Sequence, residues 1–164
     1  MNTDTPHGHD LDPAGAALAA LSAAHRSLSA VIDRELRAAC GLSLAEADVL
    51  ATLARGPDGR QRMADIAGQM SVSKSGVTQL TGRLVAAGLA ARESSATDRR
   101  LVYAAITTAG RDLLDKAGPV LATIARDHIA SRLPDADLRQ LTQALRTIAG
   151  TSPPQPSQRQ GQTP

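Results

Sequence analysis

The sequence predicts a mainly α-helical fold of the α+β class, with one short β-hairpin in its second half. Three observations lead to this prediction. Apolar residues recur at steps of three or four along most of the chain, which indicates amphipathic helices. Tyr103 is the only aromatic residue, so the core must consist of aliphatic side chains, which suits closely packed helices. Two short extended runs, residues 89–93 and 101–106, flank a polar turn and predict the hairpin.

The first helix is predicted over residues 14–40, after a polar tail formed by residues 1–13. Asp12 and Pro13 make a helix start, with the aspartate as cap and the proline in the first turn. Gly41 ends the helix. Between these signals runs one apolar stripe at helical spacing, formed by Leu18, Leu21, His25, Leu28, Ile32 and Leu36.

A second helix is predicted from a capping box. The Ser43 side chain can bond the amide three residues on, and Glu46 can reach back to the amide of Ser43. The helix continues to about Ala54, where the cluster Gly-Pro-Asp-Gly at residues 56–59 predicts a turn.

Residues 64–80 have the spacing of a helix-turn-helix, with short helices predicted at 63–69 and 74–87. Ser73 caps the second helix and Gly88 ends it. The residues assigned to the inward face are apolar: Ile66, Ala67, Met70, Val72, Val77, Leu80 and Leu84. The outward face can donate to phosphates and base edges through Lys74, Ser75, Thr78, Gln79 and Arg83. The alternative is a pair of ordinary packed helices with a polar outer face.

The predicted hairpin follows this motif directly, which is the order of a winged helix. Its tip carries Asp98, Arg99 and Arg100. An arginine at a wing tip can enter a DNA minor groove, whose potential attracts it. Asp98 would repel phosphate, so we expect it to hold a neighbouring arginine in place. The alternative is a solvent-exposed turn with ordinary charges.

The last helices are predicted after the hairpin. Thr107 or Thr108 caps a helix that runs to about Arg132, and Gly118-Pro119 inside it predicts a kink or break. Pro134 precedes the final helix, and residues 151–164 are rich in Pro, Gln and Ser and are predicted to be disordered. The final helix carries an apolar stripe of Leu138, Leu141, Leu145 and Ile148.

Positive charge is concentrated in the middle of the chain. Residues 60–111 hold eight basic and three acidic residues, a net charge of +5, although the whole chain carries only +2. Such a localised basic segment is typical of a polyanion binder. A solvated basic surface without a partner is the alternative. The near absence of aromatic residues argues against proteins that stack single-stranded bases.

Other function classes find little support in the sequence. It contains no Gly-rich phosphate loop and no nucleophile elbow, so we expect no catalytic residues and no enzyme. One cysteine and four scattered histidines do not form a metal set, and no cofactor is expected. No apolar run approaches the length of a membrane span, and residues 1–13 lack a secretory signal. We therefore expect a cytoplasmic protein without a membrane partner.

Two residues of the first helix are considered for ligand binding. Cys40 lies at the helix C-terminus, where the dipole disfavours a thiolate, and there is no second cysteine to resolve an oxidised state. A structural role is therefore favoured over oxidant sensing. His25 lies on the apolar stripe and is interpreted as packed and hydrogen-bonded. The alternative is a ligand-pocket or pH-sensing residue near a dimer axis.

The order of these pieces resembles the MarR-type transcriptional regulators over about residues 14–149. The segments that carry the resemblance are residues 42–53, 63–88, 89–92, 98–100 and 106–110. The resemblance implies a homodimer whose terminal helices interlock, and one winged helix per subunit bound to double-stranded DNA at a palindromic operator. Many members release DNA when they bind a small-molecule effector or sense an oxidant.

The resemblance also implies a domain organisation and residue roles. The N-terminal dimerisation helix would be 14–40, the DNA-binding domain 41–108, and the C-terminal dimerisation helices 109–150. Arg83 would contact phosphate or brace the wing. The recognition helix would face the major groove through Ser73, Lys74, Ser75, Thr78 and Gln79, and Asp98 and Arg100 match the Asp-x-Arg motif of the family's wing, with Arg99 between them.

Two positions depart from the family pattern. Gln79 stands where a basic residue is common, and Gly82 stands where an acidic residue is frequent. With these two departures, the resemblance implies a homodimeric DNA-binding repressor that a ligand releases. The alternative is a protein-interaction module that kept the fold but lost specific DNA binding.

Overall fold

The computed structural model describes residues 12–70, 72–94 and 102–150. The chain divides into two compact units, one ending at Ile124 and the other starting at Ala125. The helices are α1 (Pro13–Cys40), α2 (Leu44–Arg55), α3 (Met63–Met70), α4 (Lys74–Ala86), α5 (Thr108–Ala125) and α6 (Asp135–Ile148), and the strands are β1 (Arg60–Arg62), β2 (Ala90–Ser94) and β3 (Val102–Ile106). The mainly helical α+β fold is confirmed.

The helix ends follow the local signals of the sequence. Asp12 caps α1 by accepting a hydrogen bond from the amide of Gly15 at 2.6 Å. Gly41 ends α1 in the left-handed conformation at φ 69°, which only glycine adopts without strain. The capping box of α2 is complete, since Ser43 and Glu46 each bond the other's backbone amide.

The sheet has three antiparallel strands in the order β1-β3-β2, whereas the sequence predicted only a two-stranded hairpin. The extra strand, β1, reads Arg-Gln-Arg and has no apolar alternation. It pairs with β3, more than forty residues away, so that Gln61 faces Ala104 and Arg62 faces Tyr103. The Gln61 side chain donates to the carbonyl of Thr52 at 2.6 Å and thereby ties the sheet to α2.

The core of the first unit lies between α2, α3, α4 and the sheet. Leu36 from α1 and Ala117 from α5 join it, and both are fully buried. The remaining large, fully buried apolar side chains are Val49, Leu50, Leu53, Ile66, Val77 and Leu84. Because these come from α2, α3 and α4, burial of one apolar cluster positions the two helices of the predicted helix-turn-helix.

Asp33 links α1 to α2. Its carboxylate accepts from the backbone amide of Leu44, the first residue of α2, at 2.8 Å and from Arg37 at 2.7 Å. These hydrogen bonds, that from Arg37 first, hold the pKa of the Asp33 carboxyl below its usual value. The orientation of α1 on the first unit therefore depends on a hydrogen bond as well as on Leu36.

Of the kink or break predicted at Pro119, the break is wrong, because α5 continues through this residue. Gly118, which precedes it, has no Cβ to clash with the proline ring, and both residues lie on the exposed side of the helix. The irregularity occurs later, where residues Arg126–Ala130 form a π-helical segment in the second unit.

The sequence expectation about apolar runs also needs correction. By length and composition alone, α1 is long and apolar enough to cross a membrane. Its many alanines give it this character, and both core helices of soluble proteins and signal sequences pass the same test. The middle of the helix also holds His25 and Arg26, both exposed.

Thr81 on α4 gives a direct test of packing in the core. Its side chain is fully buried and its hydroxyl has no hydrogen-bond partner among the described residues. Replacing Thr81 with valine should therefore raise the free energy of unfolding by about 1 kcal/mol, measured by urea denaturation. Thr52→Val is the matched control, because the buried Thr52 hydroxyl accepts from Arg55 at 3.2 Å. This control should lower stability, and a gain in both variants would contradict the explanation.

Candidate nucleic-acid interface

Helices α3 and α4 form the predicted helix-turn-helix. Ile66 and Ala67 of α3 are buried, as are Val77, Leu80 and Leu84 of α4. Val72, between the two helices, is half-buried rather than buried as the sequence predicted. One face of α4 is therefore held against the core, and the opposite face is left to solvent.

The outward face of α4 is polar and exposed along its first two turns. Ser73 caps the helix by accepting from the amide of Gly76 at 3.1 Å, and its hydroxyl lies 3.0 Å from that of Ser75. The Thr78 hydroxyl donates to the carbonyl of Lys74 at 2.9 Å, so its oxygen keeps only acceptor capacity. The exposed residues of this face are Ser73, Lys74, Ser75, Thr78 and Gln79.

Lys74 and Gln79 are the donors that this face can offer to a ligand. Neither side chain has an ion-pair or hydrogen-bond partner within residues 12–70, 72–94 and 102–150. An ammonium group suits a phosphate oxygen, and a carboxamide can bond an adenine edge in two places. The face thus combines a charge that is indifferent to sequence with a group that can distinguish bases.

Arg83, which was predicted to contact phosphate or brace the wing, lies against α2, and those two roles stay predictions. Its Nε donates to Glu46 Oε1 at 2.8 Å. Burial raises the pKa of the Glu46 carboxyl, but hydrogen bonds from Ser43 and Arg83 outweigh burial and leave it below its usual value. The first turn of α2 and the last turns of α4 are therefore joined by a charged hydrogen bond.

Arg92 on β2 joins the sheet to α4. Its Nη2 donates to the backbone carbonyl of Thr78 at 3.0 Å. Sequence reasoning missed Arg92, since no local pattern shows which helix a strand residue will reach. One signal in the sequence was Gly82, which departs from the family pattern. A glycine on α4 leaves room beside the helix for a side chain such as that of Arg92.

The wing is described only at its base. β2 ends at Ser94 and β3 begins at Val102, and the two strands pair in register, with Arg92 opposite Ala104 and Ser94 opposite Val102. The predicted tip residues Asp98, Arg99 and Arg100 lie outside the described residues. Their DNA contacts stay a prediction from the sequence.

The outer face of the sheet adds further positive charge. The guanidinium groups of Arg60 and Arg62 lie 5.7 and 5.8 Å from the centre of the Tyr103 ring. Arg62 also donates to the Tyr103 hydroxyl at 3.1 Å, and Arg60 pairs with Glu93 at 3.6 Å. The only aromatic residue of the chain is thus an anchor for arginines and not a platform for stacking bases.

The two residues considered for ligand binding lie apart on α1. His25 is exposed rather than packed, because no other described residue covers it on α1. Cys40 is half-buried beside the core. Fifteen residues of helix separate them by about 22 Å, so one small molecule does not contact both in the same subunit. The described residues contain no group of three or more side chains suited to hold a metal ion.

Comparison with known proteins shows which family this geometry is similar to. Residues 41–101 match the family model described as MarR family. No curated protein sequence matches the chain. One similar solved structure is that of AbsC, a MarR family transcriptional regulator from Streptomyces coelicolor. It shares 28% sequence identity with this chain, with a TM-score of 0.74 over 85% of this chain and 95% of AbsC.

Two further solved structures agree. Sco3205, a MarR family transcriptional regulator from Streptomyces coelicolor in complex with DNA, shares 25% identity, with a TM-score of 0.75 over 87% of this chain and 94% of Sco3205. The transcriptional regulator BldR from Sulfolobus solfataricus shows the same fold at 22% identity, with a TM-score of 0.76 over 87% of this chain and 99% of BldR. Residues 41–101 thus match the MarR family, and the fold is that of solved MarR family transcriptional regulators.

Proposed function

We propose that this protein is a cytoplasmic, non-enzymatic regulator that binds double-stranded DNA in a sequence-specific manner. The observation that carries the proposal is α4, whose apolar face is buried while Lys74, Ser75, Thr78 and Gln79 are exposed. A helix of this kind fits the major groove of DNA. The related Sco3205, solved in complex with DNA, supports the same class of partner.

The wing is proposed to bind the adjacent minor groove. Its base stands beside α4 through the contact of Arg92 with Thr78, and Arg99 and Arg100 follow along the sequence. The net charge of +5 over residues 60–111 fits a surface that neutralises phosphates. Affinity should then fall steeply with salt, because bound counterions are released when DNA is bound.

We propose that the functional unit is a homodimer on a palindromic operator. Large apolar side chains are exposed on α1, where Leu18 is 66% exposed, and on α6, where Ile148 is 71% exposed. In α6, Leu141 and Leu145 extend the same exposed stripe. Solvent exposure of so many large apolar residues on two helices favours their burial against a second copy of the chain.

The regulatory effect is proposed to be repression that a small-molecule effector relieves. The family resemblance supports this part of the proposal. The exposed His25, on the apolar stripe of α1, is the residue proposed to meet such an effector near the dimer axis. Cys40 is proposed to have a structural role, because its side chain packs against the core.

The test is a selection of random genomic fragments on the purified full-length protein at physiological salt, followed by sequencing of the retained DNA. A two-fold-symmetric site with half-sites about one helical turn apart is the expected result. Retention of no particular sequence, at physiological and at low salt, would overturn specific DNA binding. That result would favour the alternative, a winged-helix module that binds a protein partner.

Substitutions on α4 should separate affinity from sequence preference. Lys74→Ala should weaken binding to every duplex by a similar factor and lower the slope of log affinity against log salt by about 0.9. Gln79→Ala should leave this slope unchanged and alter the preferred base at one position of each half-site. Fluorescence anisotropy with the selected duplex and a scrambled one measures both effects.

The matched control for this pair is Lys116→Ala, which removes the same charge from the exposed side of α5. It should retain wild-type affinity and slope. Equal losses in Lys74→Ala and Lys116→Ala would mean that overall charge, and not the face of α4, determines binding.

A further inference from the structure

The face of β2 that carries Arg92 is buried at the start of the strand and exposed to solvent further along it. Ala90 lies on this side opposite Ile106, and both are buried. Arg92, the next residue on the same side, lies opposite the fully buried Ala104 but is itself exposed. Arg92 therefore stands where the wing departs from the core and where apolar packing no longer fixes it.

At this point the Arg92 guanidinium bonds α4. Nη2 donates to the Thr78 carbonyl at 3.0 Å, and no acidic side chain within the described residues forms an ion pair with it. A carbonyl inside a helix already accepts from the amide four residues later, here that of Gly82. A second, charge-assisted donor must therefore approach this carbonyl from beside the helix.

Gly82 provides the space for this approach. Helical side chains lean toward the N-terminus, so a side chain at position 82 would lie over the turn that contains Thr78. Apart from the backbone of α4 itself, the one described atom within 4 Å of a Cβ at this position would be Arg92 Nη2, at 3.6 Å. A methyl group fits at that distance, but a longer side chain would occupy the volume of the guanidinium.

We propose that Arg92, seated in the gap left by Gly82, is a positioning residue that holds the wing to the recognition helix. The inference rests on the proposed function, because a fixed orientation of the wing relative to α4 matters when α4 binds the major groove of DNA and the wing binds the minor groove. Fixing the wing before DNA binds lowers the ordering cost at binding. Arg92 thus acts through α4 and the wing.

The first test uses Arg92→Ala and Gly82→Leu, which break the contact from opposite sides. Each should weaken binding to the selected duplex by about tenfold, the factor for loss of one charge-assisted hydrogen bond. The double variant should be no weaker than either single variant, because both remove the same contact. Gly82→Ala is the size-graded comparison and should fall between wild type and Gly82→Leu.

The salt dependence separates positioning from a direct phosphate contact. Gly82→Leu removes no charge, yet it should lower the slope of log affinity against log salt, since the displaced wing loses its phosphate contacts. Arg92→Lys keeps the charge without the planar fork and should rescue little of the affinity. Wild-type slope in Gly82→Leu, or full rescue by Arg92→Lys, would overturn the proposal.

A second test needs no DNA. In the free full-length protein, amide hydrogen exchange at residues 92–94 of β2 should be faster in Arg92→Ala and Gly82→Leu than in wild type. Unchanged exchange in both variants overturns the proposal whatever the DNA results are. If the wild type prefers no duplex, the proposed function fails, and the exchange rates still decide whether Arg92 fixes the wing.

Discussion

Replacing Gly110 with alanine is expected to lower the free energy of unfolding by about 3 kcal/mol, although alanine is the better helix former. Gly110 lies buried in the first turn of α5. A Cβ there would fall inside contact distance of the Leu89 carbonyl oxygen and lie 2.9 Å from Ile106 Cγ1. Because the Leu89 oxygen is backbone, the clash is relieved only by moving α5 away from the turn that ends α4.

That turn is also where α5 is attached by hydrogen bonds. The Thr107 amide donates to the Leu89 carbonyl at 3.1 Å, and the Thr107 hydroxyl donates to the Gly88 carbonyl at 2.8 Å. The same hydroxyl caps α5 by accepting from the Gly110 amide at 3.1 Å. A shift of α5 would strain all three bonds, which is why we expect a loss at the upper end of the range for overpacking.

Gly68→Ala on α3 is the matched control, because a Cβ at Gly68 would meet nothing within 4 Å. This variant should gain about 0.5 kcal/mol or more from helix propensity. Urea denaturation of both variants measures the difference. Equal stability of Gly110→Ala and wild type would mean that α5 can move without cost, contrary to its close packing against Leu89 and Ile106.

The sequence predicted the elements whose determinants are local. The caps at Asp12, Ser43 and Ser73 each depend on a side chain that bonds an amide three residues away. Such bonds are visible in a short stretch of sequence. Burial of Val77 and Leu84 follows in the same way from helical spacing. The helix-turn-helix was therefore predictable almost residue by residue.

What the sequence did not predict depends on residues that are distant along the chain. β1 has no strand pattern of its own and exists because β3 offers an edge to pair with. The partners of Arg83 and Arg92 are set by how α2, α4 and β2 pack, so local spacing could not predict the contact of Arg83 with Glu46 or that of Arg92 with Thr78. The exposure of His25 could not be predicted for a similar reason. An apolar stripe indicates that a helix face can be buried, but not whether residues of the same chain or of another molecule bury it.

After Gly110→Ala, the largest loss in the free energy of unfolding is expected when Glu46 is replaced. Its carboxylate accepts from the amide and hydroxyl of Ser43 at 3.0 and 2.7 Å and from Arg83 at 2.8 Å. Glu46→Ala would leave the amide of the buried Ser43 without its partner and remove half of the capping box. We expect a loss of about 2 kcal/mol in the free energy of unfolding.

Arg83→Ala separates the two parts of this loss. The Arg83 side chain is 53% exposed, against 14% for Glu46, so solvent screens its part of the pair. Its removal should cost about 0.5 kcal/mol. A double-mutant cycle gives the coupling between the two residues. A cost for Arg83→Ala equal to that of Glu46→Ala would show that the ion pair, and not the cap, determines the effect.

The effect of pH distinguishes the charged form of Glu46 from its shape. The pKa of its carboxyl lies below the ordinary value of 4.5 in the folded protein, so the unfolded chain binds the proton more readily. The resulting stability is fully present above about pH 4.5 and is lost as the pH falls through the folded-state pKa. The difference in unfolding free energy between wild type and Glu46→Gln should therefore be constant near neutral pH and shrink in acid. A difference that did not change with pH would show that the hydrogen-bonding shape of the side chain, rather than its charge, stabilises the junction of α2 and α4.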